Sequence, residues 1–106
     1  MDLVLERMKS LNPKGYPCVL MGDFNIFPDH PVIANVDKVM KSARTYAAKT
    51  DDSHSYNGWG KSKKVIDYIY YSGFESDPVL FETITKKYAD RPFISDHFPI
   101  KAVFEF

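Results

Sequence analysis

The sequence predicts an α+β fold in which one mainly antiparallel sheet carries helices on one face. Three observations in the 106 residues favour this class. An amphipathic stretch opens the chain at 2–11, short apolar runs bounded by turn residues stand at 17–21 and 65–71, and 99–106 alternates apolar with polar side chains. A helical period followed by strand-like runs is typical of helices packed on a sheet.

The first predicted elements are a helix over residues 2–11 and a strand over 17–21. Apolar positions three and four apart form one stripe along the helix, and they are Leu3, Val4, Met8 and Leu11. The turn residues at 12–15, which include a proline and a glycine, end the helix. Because the run that follows is wholly apolar, it predicts a strand covered on both faces.

The central part of the sequence predicts one short helix and a long loop. A turn at 28–31 precedes the helix, which is expected over 32–40. Residues 41–62 are polar and place Trp59 between two glycines. This composition indicates a loop with little regular structure.

Three further strands are predicted in the second half of the chain, over 63–71, 78–85 and 99–106. The last one alternates, with Ile100, Ala102, Phe104 and Phe106 on one face and Lys101 and Glu105 on the other. The runs 17–21 and 65–71 are apolar on both faces, and no second sheet is predicted. One face of the sheet is therefore expected to lie uncovered within this chain.

Charge and cysteine content bear on partners and compartment. Fourteen basic residues balance fourteen acidic ones, so bulk electrostatics gives no reason to expect a strong nucleic-acid or membrane binder. The single cysteine, Cys18, excludes an intrachain disulfide, and no run approaches the roughly 18 apolar residues of a membrane span. The cellular compartment stays open.

Polar side chains stand at three places beside or within the predicted strands. Asp23 and Asn25 follow the first strand, Asp67 interrupts an apolar strand, and Asp96 and His97 precede the last one. A carboxylate within an apolar strand is costly unless it is paired. We therefore expect Asp67 to be paired, most readily with His97, and the pattern alone leaves open a catalytic pair or a satisfied core pair.

The blocks GDFN (22–25), IDYI (66–69) and SDH (95–97) occur in an order that resembles the C-terminal half of the endonuclease/exonuclease/phosphatase (DNase I-like) superfamily. The resemblance runs from about residue 17 to 106. It implies that residues 1–106 are half of a four-layer α/β/β/α sandwich whose N-terminal half is absent. It also implies a phosphoesterase, acting on phosphodiesters or phosphomonoesters, with nucleic acid among the possible substrates.

The resemblance implies a role for each polar residue in hydrolysis assisted by Mg²⁺ or Mn²⁺. Asp23 would orient or deprotonate the attacking water, and Asn25 would donate a hydrogen bond to the phosphate. His97, held by Asp67, would offset charge on the transition state or protonate a group there. Asp96, together with Asp23, would bind the metal, because Mg²⁺ prefers carboxylate oxygens.

The segment SYNGWG (55–60) resembles, less specifically, the family's substrate-side loop. Its implied substrate-binding residues are Ser55, Asn57 and Trp59. Two interpretations of Trp59 stay open: its ring either stacks on a base or sugar of the substrate, or covers the edge of the sheet.

The chain departs from the family where the first half would supply a glutamate, the main metal ligand, which has no counterpart before residue 17. We therefore expect weak metal binding and little or no activity from this chain alone. The uncovered sheet face is expected to meet the missing N-terminal half or a second copy in a homodimer. The alternative is a non-catalytic interaction module that uses the same exposed face.

Overall fold

The computed structural model describes residues 2–86, 91, 93 and 95–105, and it confirms an α+β fold with antiparallel sheets. The helices are α1 (Asp2–Leu11), α2 (Pro31–Asp37) and α3 (Ala43–Tyr46), with a 3₁₀ turn at Gly58–Gly60. The strands are β1 (Cys18–Asp23), β2 (Lys41–Ser42), β3 (Asp67–Ser72), β4 (Leu80–Thr83) and β5 (Ile100–Val103).

The described strands form two sheets, so the expectation of a single sheet was wrong. One has three strands in the order β1-β3-β2, and the other pairs β4 with β5. All these pairings are antiparallel. In the first sheet the register sets Asp23 opposite Asp67 and Cys18 opposite Ser72, so β3 runs the full length of β1.

One face of β3 forms a core with the first two helices. Tyr68 and Tyr70 are 6% and 1% exposed, and they pack with Ile33, Val36 and Met40. Both buried phenol groups have hydrogen-bond acceptors: the Tyr70 hydroxyl lies 3.0 Å from Asp37 Oδ1, and the Tyr68 hydroxyl donates to the Ile26 carbonyl at 2.7 Å. Burial raises the pKa of Tyr68 to about 12, so it stays a neutral donor.

The other face of β3 is covered by α3 and the second sheet. Ile69 and Tyr71 are buried there in a cluster that also contains Ala43, Ala47 and Phe81, and Ile100, Ala102 and Phe104 pack against it. The expectation that this face of β3 lies bare was therefore wrong, because β4 and β5 fold back over it. The predicted inward face of the last strand is confirmed for residues 100, 102 and 104, whereas Phe106 lies outside the described residues.

Exposed apolar side chains remain on β1 and α1. Val19 and Met21 are 42% and 68% exposed, so β1 is not covered on both faces as expected. The predicted stripe of α1 also differs, since Leu3 and Leu11 are exposed whereas Leu5 and Met8 contact the core. The helix is rotated so that Leu5 and Met8 face this core cluster, a rotation that the three-and-four spacing of apolar residues does not decide.

Two further boundaries differ from the sequence-based expectation. The segment 41–62 was expected to be a loop with little regular structure, but it contains β2, α3 and the 3₁₀ turn. β3 begins at Asp67 rather than at residue 63. Asp67 thus begins a strand instead of interrupting one. Among the described residues, no helix is both long and apolar enough to cross a membrane.

Candidate active site

The position of Asp23, the first candidate side chain, depends on the residues that follow it at the end of β1. Beyond Asp23 the chain stays joined to the β3 side, because the Phe24 N–H donates to the Ile66 carbonyl at 2.9 Å. The Phe24 ring stacks on Tyr68 with 5.0 Å between centroids. These two contacts fix the end of β1 beside the start of β3, so that Asp23 and Asp67 lie next to each other at the same end of the sheet.

The GDFN block itself turns the chain away from the sheet. The Asn25 N–H donates to Asp23 Oδ1 at 2.8 Å, which closes a local side-chain turn. Asn25 has φ +55°, a left-handed conformation that asparagine tolerates better than most residues. One oxygen of Asp23 is thereby held by the backbone, and the exposed Asn25 side chain is presented to solvent.

His97 lies between two carboxylates, and its predicted pairing with Asp67 is confirmed. Its Nδ1 is 2.8 Å from Asp67 Oδ2, and its Nε2 is 3.7 Å from Asp23 Oδ2. Because an ionised carboxylate only accepts hydrogen bonds, Nδ1 carries a proton. The hydrogen bond to Asp67 raises the pKa of His97 despite partial burial, and the charges of Asp67, Asp23 and Asp96 add to this effect.

The imidazole is further oriented by residues around it. The Tyr56 ring meets it edge-on with 5.1 Å between centroids, and Tyr56 forms a backbone bridge to His97. The backbone N–H of His97 donates to Ser95 Oγ at 3.2 Å. Tyr56 was not singled out from the sequence, where an aromatic residue in a loop gives no signal of this contact.

The three residues expected to bind substrate have different surroundings. Ser55 and Asn57 are 0% and 1% exposed, so their side chains lie beneath the surface of the site. Asn57 donates through Nδ2 to the Ser95 carbonyl at 3.1 Å and accepts the Trp59 N–H at 2.8 Å. Only Trp59 presents its side chain to solvent, at 59% exposure, from a left-handed backbone with φ +59°.

Asp23, Asp67 and His97 form a cluster whose possible ligand atoms lie within 4.8 Å of one another. Two carboxylates are suitable oxygen donors for Mg²⁺ or Mn²⁺, whereas the imidazole offers only Nε2 because Nδ1 is bonded to Asp67. Asp23 is the more accessible carboxylate, with 36% side-chain exposure against 15% for Asp67. In the part of the chain that the structure describes, Asp96 is not a member of this cluster, although it is close enough to affect His97.

A pocket of about 290 Å³ opens beside the Asp67–His97 pair. It is lined by Asp67, Ser95, His97, Phe98, Pro99 and Ile100. The pair therefore has an open side where a small group can approach His97.

Comparison with known proteins gives one result that bears on this arrangement. A model of the Endonuclease/Exonuclease/phosphatase family matches residues 2–97. No curated protein and no solved structure matches the chain. The matched segment covers most of the 106 residues and includes Asp23, Asp67 and His97, so the chain belongs to the Endonuclease/Exonuclease/phosphatase family.

Proposed function

We propose that this chain provides the Asp–His part of a Mg²⁺- or Mn²⁺-dependent phosphoesterase centre. Family membership supports a hydrolase of the phosphoesterase and nuclease class. The observation that carries the proposal is the position of the His97 imidazole, hydrogen-bonded to Asp67 on one side and facing Asp23 on the other. A protonated imidazole held between two carboxylates suits a reaction in which negative charge accumulates on phosphate oxygens.

Each side chain has a role that its surroundings allow. Asp23 keeps one oxygen on the Asn25 N–H and directs the other towards His97, so it is placed to orient or deprotonate a water molecule. In its protonated form, which the hydrogen bond to Asp67 favours by raising the pKa, His97 would offset charge on the phosphate in the transition state or transfer its Nε2 proton. The exposed Asn25 side chain is free to donate to a phosphate oxygen.

The metal fits the oxygen donors of the site. Mg²⁺ or Mn²⁺, held by Asp23 with Asp96 near by, would supply Lewis-acid stabilisation of the phosphate when bound. Asp23 and Asp96 are few ligands for an ion that holds its water tightly. The third carboxylate, Asp67, already bonds His97. We therefore propose that the affinity of this chain for the metal is low and that its hydrolysis by itself is slow or absent.

The substrate is a phosphate ester, and nucleic acid is one candidate. Trp59 is the exposed aromatic side chain in the loop that is hydrogen-bonded to residues 95 and 96, where it can stack on a planar group of the substrate. Exposed lysines at 61, 63 and 64 lie in the following segment and favour an anionic ligand.

We also propose that this chain corresponds to the C-terminal half of a family domain and pairs through β1. Val19 and Met21 are the observation that favours a partner, because both are exposed on the same side of β1. Their partner is an N-terminal half or a second copy of this chain. The same exposed face would serve a non-catalytic interaction module, which is the second candidate function.

Metal binding is tested by adding Mn²⁺ to the ¹⁵N-labelled chain and following paramagnetic broadening of amide signals. We expect broadening centred on residues 23–25 and 97, without saturation at micromolar metal. Asp23→Asn should remove it, whereas Asp29→Asn, at an exposed turn position, should leave it unchanged. Uniform broadening, or broadening that survives Asp23→Asn, would place the metal elsewhere.

Hydrolysis is tested with a chromogenic phosphodiester at high chain concentration in the presence of Mg²⁺ or Mn²⁺. We expect little or no turnover, and His97→Ala should lower any that is present by roughly 10²–10⁴-fold, to the uncatalysed background if that is reached first. His30→Ala is the control, because this histidine caps α2 through its Nδ1. Metal-dependent hydrolysis that survives His97→Ala would contradict the proposed mechanism, and no hydrolysis despite bound metal would favour the interaction module.

A further inference from the structure

The Ser55 hydroxyl is fully buried and accepts two backbone hydrogen bonds. Its Oγ lies 3.1 Å from the N–H nitrogens of both Ile66 and Asp67. The residue is 0% exposed, so no substrate atom reaches this oxygen in the structure. Ser55 therefore does not have the surroundings of a substrate contact, the role that the sequence suggested.

The backbone of Ser55 is bonded to both segments that carry the Asp–His pair. Its N–H donates to the Lys64 carbonyl at 3.0 Å, and its carbonyl accepts the Phe98 N–H at 2.7 Å. Phe98 directly follows His97, and Lys64 lies three residues before Asp67. One residue thus joins the chain just before Asp67 to the chain just after His97.

The two hydrogen bonds to Oγ also explain where β3 begins. Successive N–H groups of a regular strand point in opposite directions, so they cannot meet at one acceptor. The N–H groups of Ile66 and Asp67 both reach Ser55 Oγ, so the backbone bends there and regular pairing starts at Asp67. This bend sets the direction in which the Asp67 side chain leaves the strand.

We propose that Ser55 is a positioning residue that holds the Asp67 carboxylate within hydrogen-bonding range of His97. It acts through the backbone N–H groups of residues 66 and 67, and it does not touch substrate. The proposal rests on the proposed function only for its effect on hydrolysis. Its effect on the Asp67–His97 hydrogen bond is independent of any activity.

The decisive measurement is the ¹H resonance of His97 Nδ1–H in the ¹⁵N-labelled chain. A proton held between imidazole and carboxylate exchanges slowly and resonates far downfield. In Ser55→Ala we expect this resonance to move upfield or to broaden away, while the amide spectrum stays dispersed. Ser55→Thr, which keeps a hydroxyl acceptor, should restore the wild-type position.

Ser53→Ala is the matched control, because it removes a hydroxyl two residues away that makes no hydrogen bond in the described part of the chain. It should leave the His97 resonance unchanged. If Ser55→Ala does not fold, Ser55→Cys is measured instead, because it fills the place of the hydroxyl with a somewhat larger thiol that is a weaker acceptor. An unchanged His97 resonance in a folded Ser55→Ala or Ser55→Cys chain would overturn the proposal.

Hydrolysis provides a second readout that separates this proposal from the proposed function. Where the wild type turns over substrate, Ser55→Ala should lower kcat about tenfold or more and change KM by less than about twofold, because misplacement of a catalytic group affects the chemical step. A fall in kcat/KM carried by KM alone would instead indicate a substrate contact and contradict the proposal. If the wild type shows no hydrolysis despite bound metal, the interaction module is favoured over the proposed phosphoesterase, and the resonance still decides the role of Ser55.

Discussion

At the scale of single residues, the His97 imidazole has a carboxylate near each of its two ring nitrogens. Asp67 bonds Nδ1 and Asp23 faces Nε2, so the protonated ring has an acceptor at one nitrogen and an opposite charge near the other. An ordinary core pair needs only the first of these contacts. The second is what makes the cluster suitable for proton transfer or charge stabilisation.

The raised pKa of His97 predicts a pH-dependent contribution to stability. A histidine whose pKa is higher in the folded state stabilises the fold below its unfolded pKa of roughly 6.5, and this contribution is lost as pH rises through the folded pKa. The free energy of unfolding of the wild type should therefore exceed that of His97→Gln by more at pH 5.5 than at pH 9 (about one unit below and more than two above that reference). Urea unfolding of both chains across this range measures it.

The control for this pH prediction is Asp67→Asn, which removes the hydrogen bond that contributes most to the shift. In that background the difference between His97 and Gln should depend much less on pH. A difference that is flat in the wild-type background would show that the folded protein does not favour the protonated ring.

At the scale of elements, Asp51 joins the central loop to β4. Its Oδ2 accepts the Thr83 N–H at 2.7 Å, and its Oδ1 accepts the Thr83 hydroxyl at 2.9 Å and the Ser53 N–H at 3.0 Å. Arg44 lies 3.7 Å from the same carboxylate, and its guanidinium stacks over the Phe81 ring. This set of contacts fastens the segment that leads to Ser55 onto the second sheet.

Asp51→Ala should destabilise the chain by about 2–3 kcal/mol, because it removes charge-assisted hydrogen bonds and leaves their donors unpaired. Asp52→Ala is the matched control; its side chain is exposed and should matter by less than about 0.5 kcal/mol. Chemical denaturation at neutral pH measures both. Equal effects of the two substitutions would show that Asp51 does not fasten the loop.

The same carboxylate predicts how stability changes in acid. Burial alone would raise the pKa of Asp51, but the hydrogen bonds from Thr83 and Ser53 and the charge of Arg44 outweigh it and lower the pKa. The contribution of Asp51 is therefore present above its unfolded pKa of roughly 3.9 and is lost as pH falls through the folded pKa. The difference in unfolding free energy between the wild type and Asp51→Ala should shrink in this acid range, and a constant difference would contradict it.

The elements show what the sequence could and could not predict. α1 and the four longer strands follow from period and composition, and the Asp67–His97 pair follows from the cost of an unpaired carboxylate. The orientation of α1 could not be predicted, because Leu3, Leu5 and Met8 allow two apolar faces. The burial of Ser55 could not be predicted either, since a serine in a polar segment gives no sign that its hydroxyl accepts two backbone N–H groups.

At the scale of the whole molecule, the uncovered apolar surface of the three-stranded sheet is on β1 rather than across the sheet. β3 is covered by the chain's own elements on both faces, whereas Val19 and Met21 on β1 are exposed. The period-two pattern indicated which residues share a face. It did not indicate that β4 and β5 would form a separate layer over Ile69 and Tyr71.

Self-association through β1 is expected at micromolar concentration, because burying Val19 and Met21 against a second copy removes apolar surface from water. Sedimentation equilibrium should give a mass above the monomer's 12.2 kDa. Met21→Glu should return it to that value, whereas Leu11→Glu, at an exposed position on α1, should not. A wild-type chain that stays monomeric would exclude the homodimer.

The central position of β3 predicts which backbone amides stay protected until the whole protein unfolds. Its middle residues, 68–71, belong alternately to the two apolar clusters; β1 pairs with all of them, and β2 pairs with Tyr70 and Tyr71 on the other side. A segment held on all sides exchanges its amide hydrogens with solvent only when the structure opens as a unit. Native-state exchange at the amides of Tyr70 and Tyr71 should therefore report global unfolding. Asp67 begins this strand, so we expect the proposed catalytic carboxylate to be among the last groups released by local fluctuations.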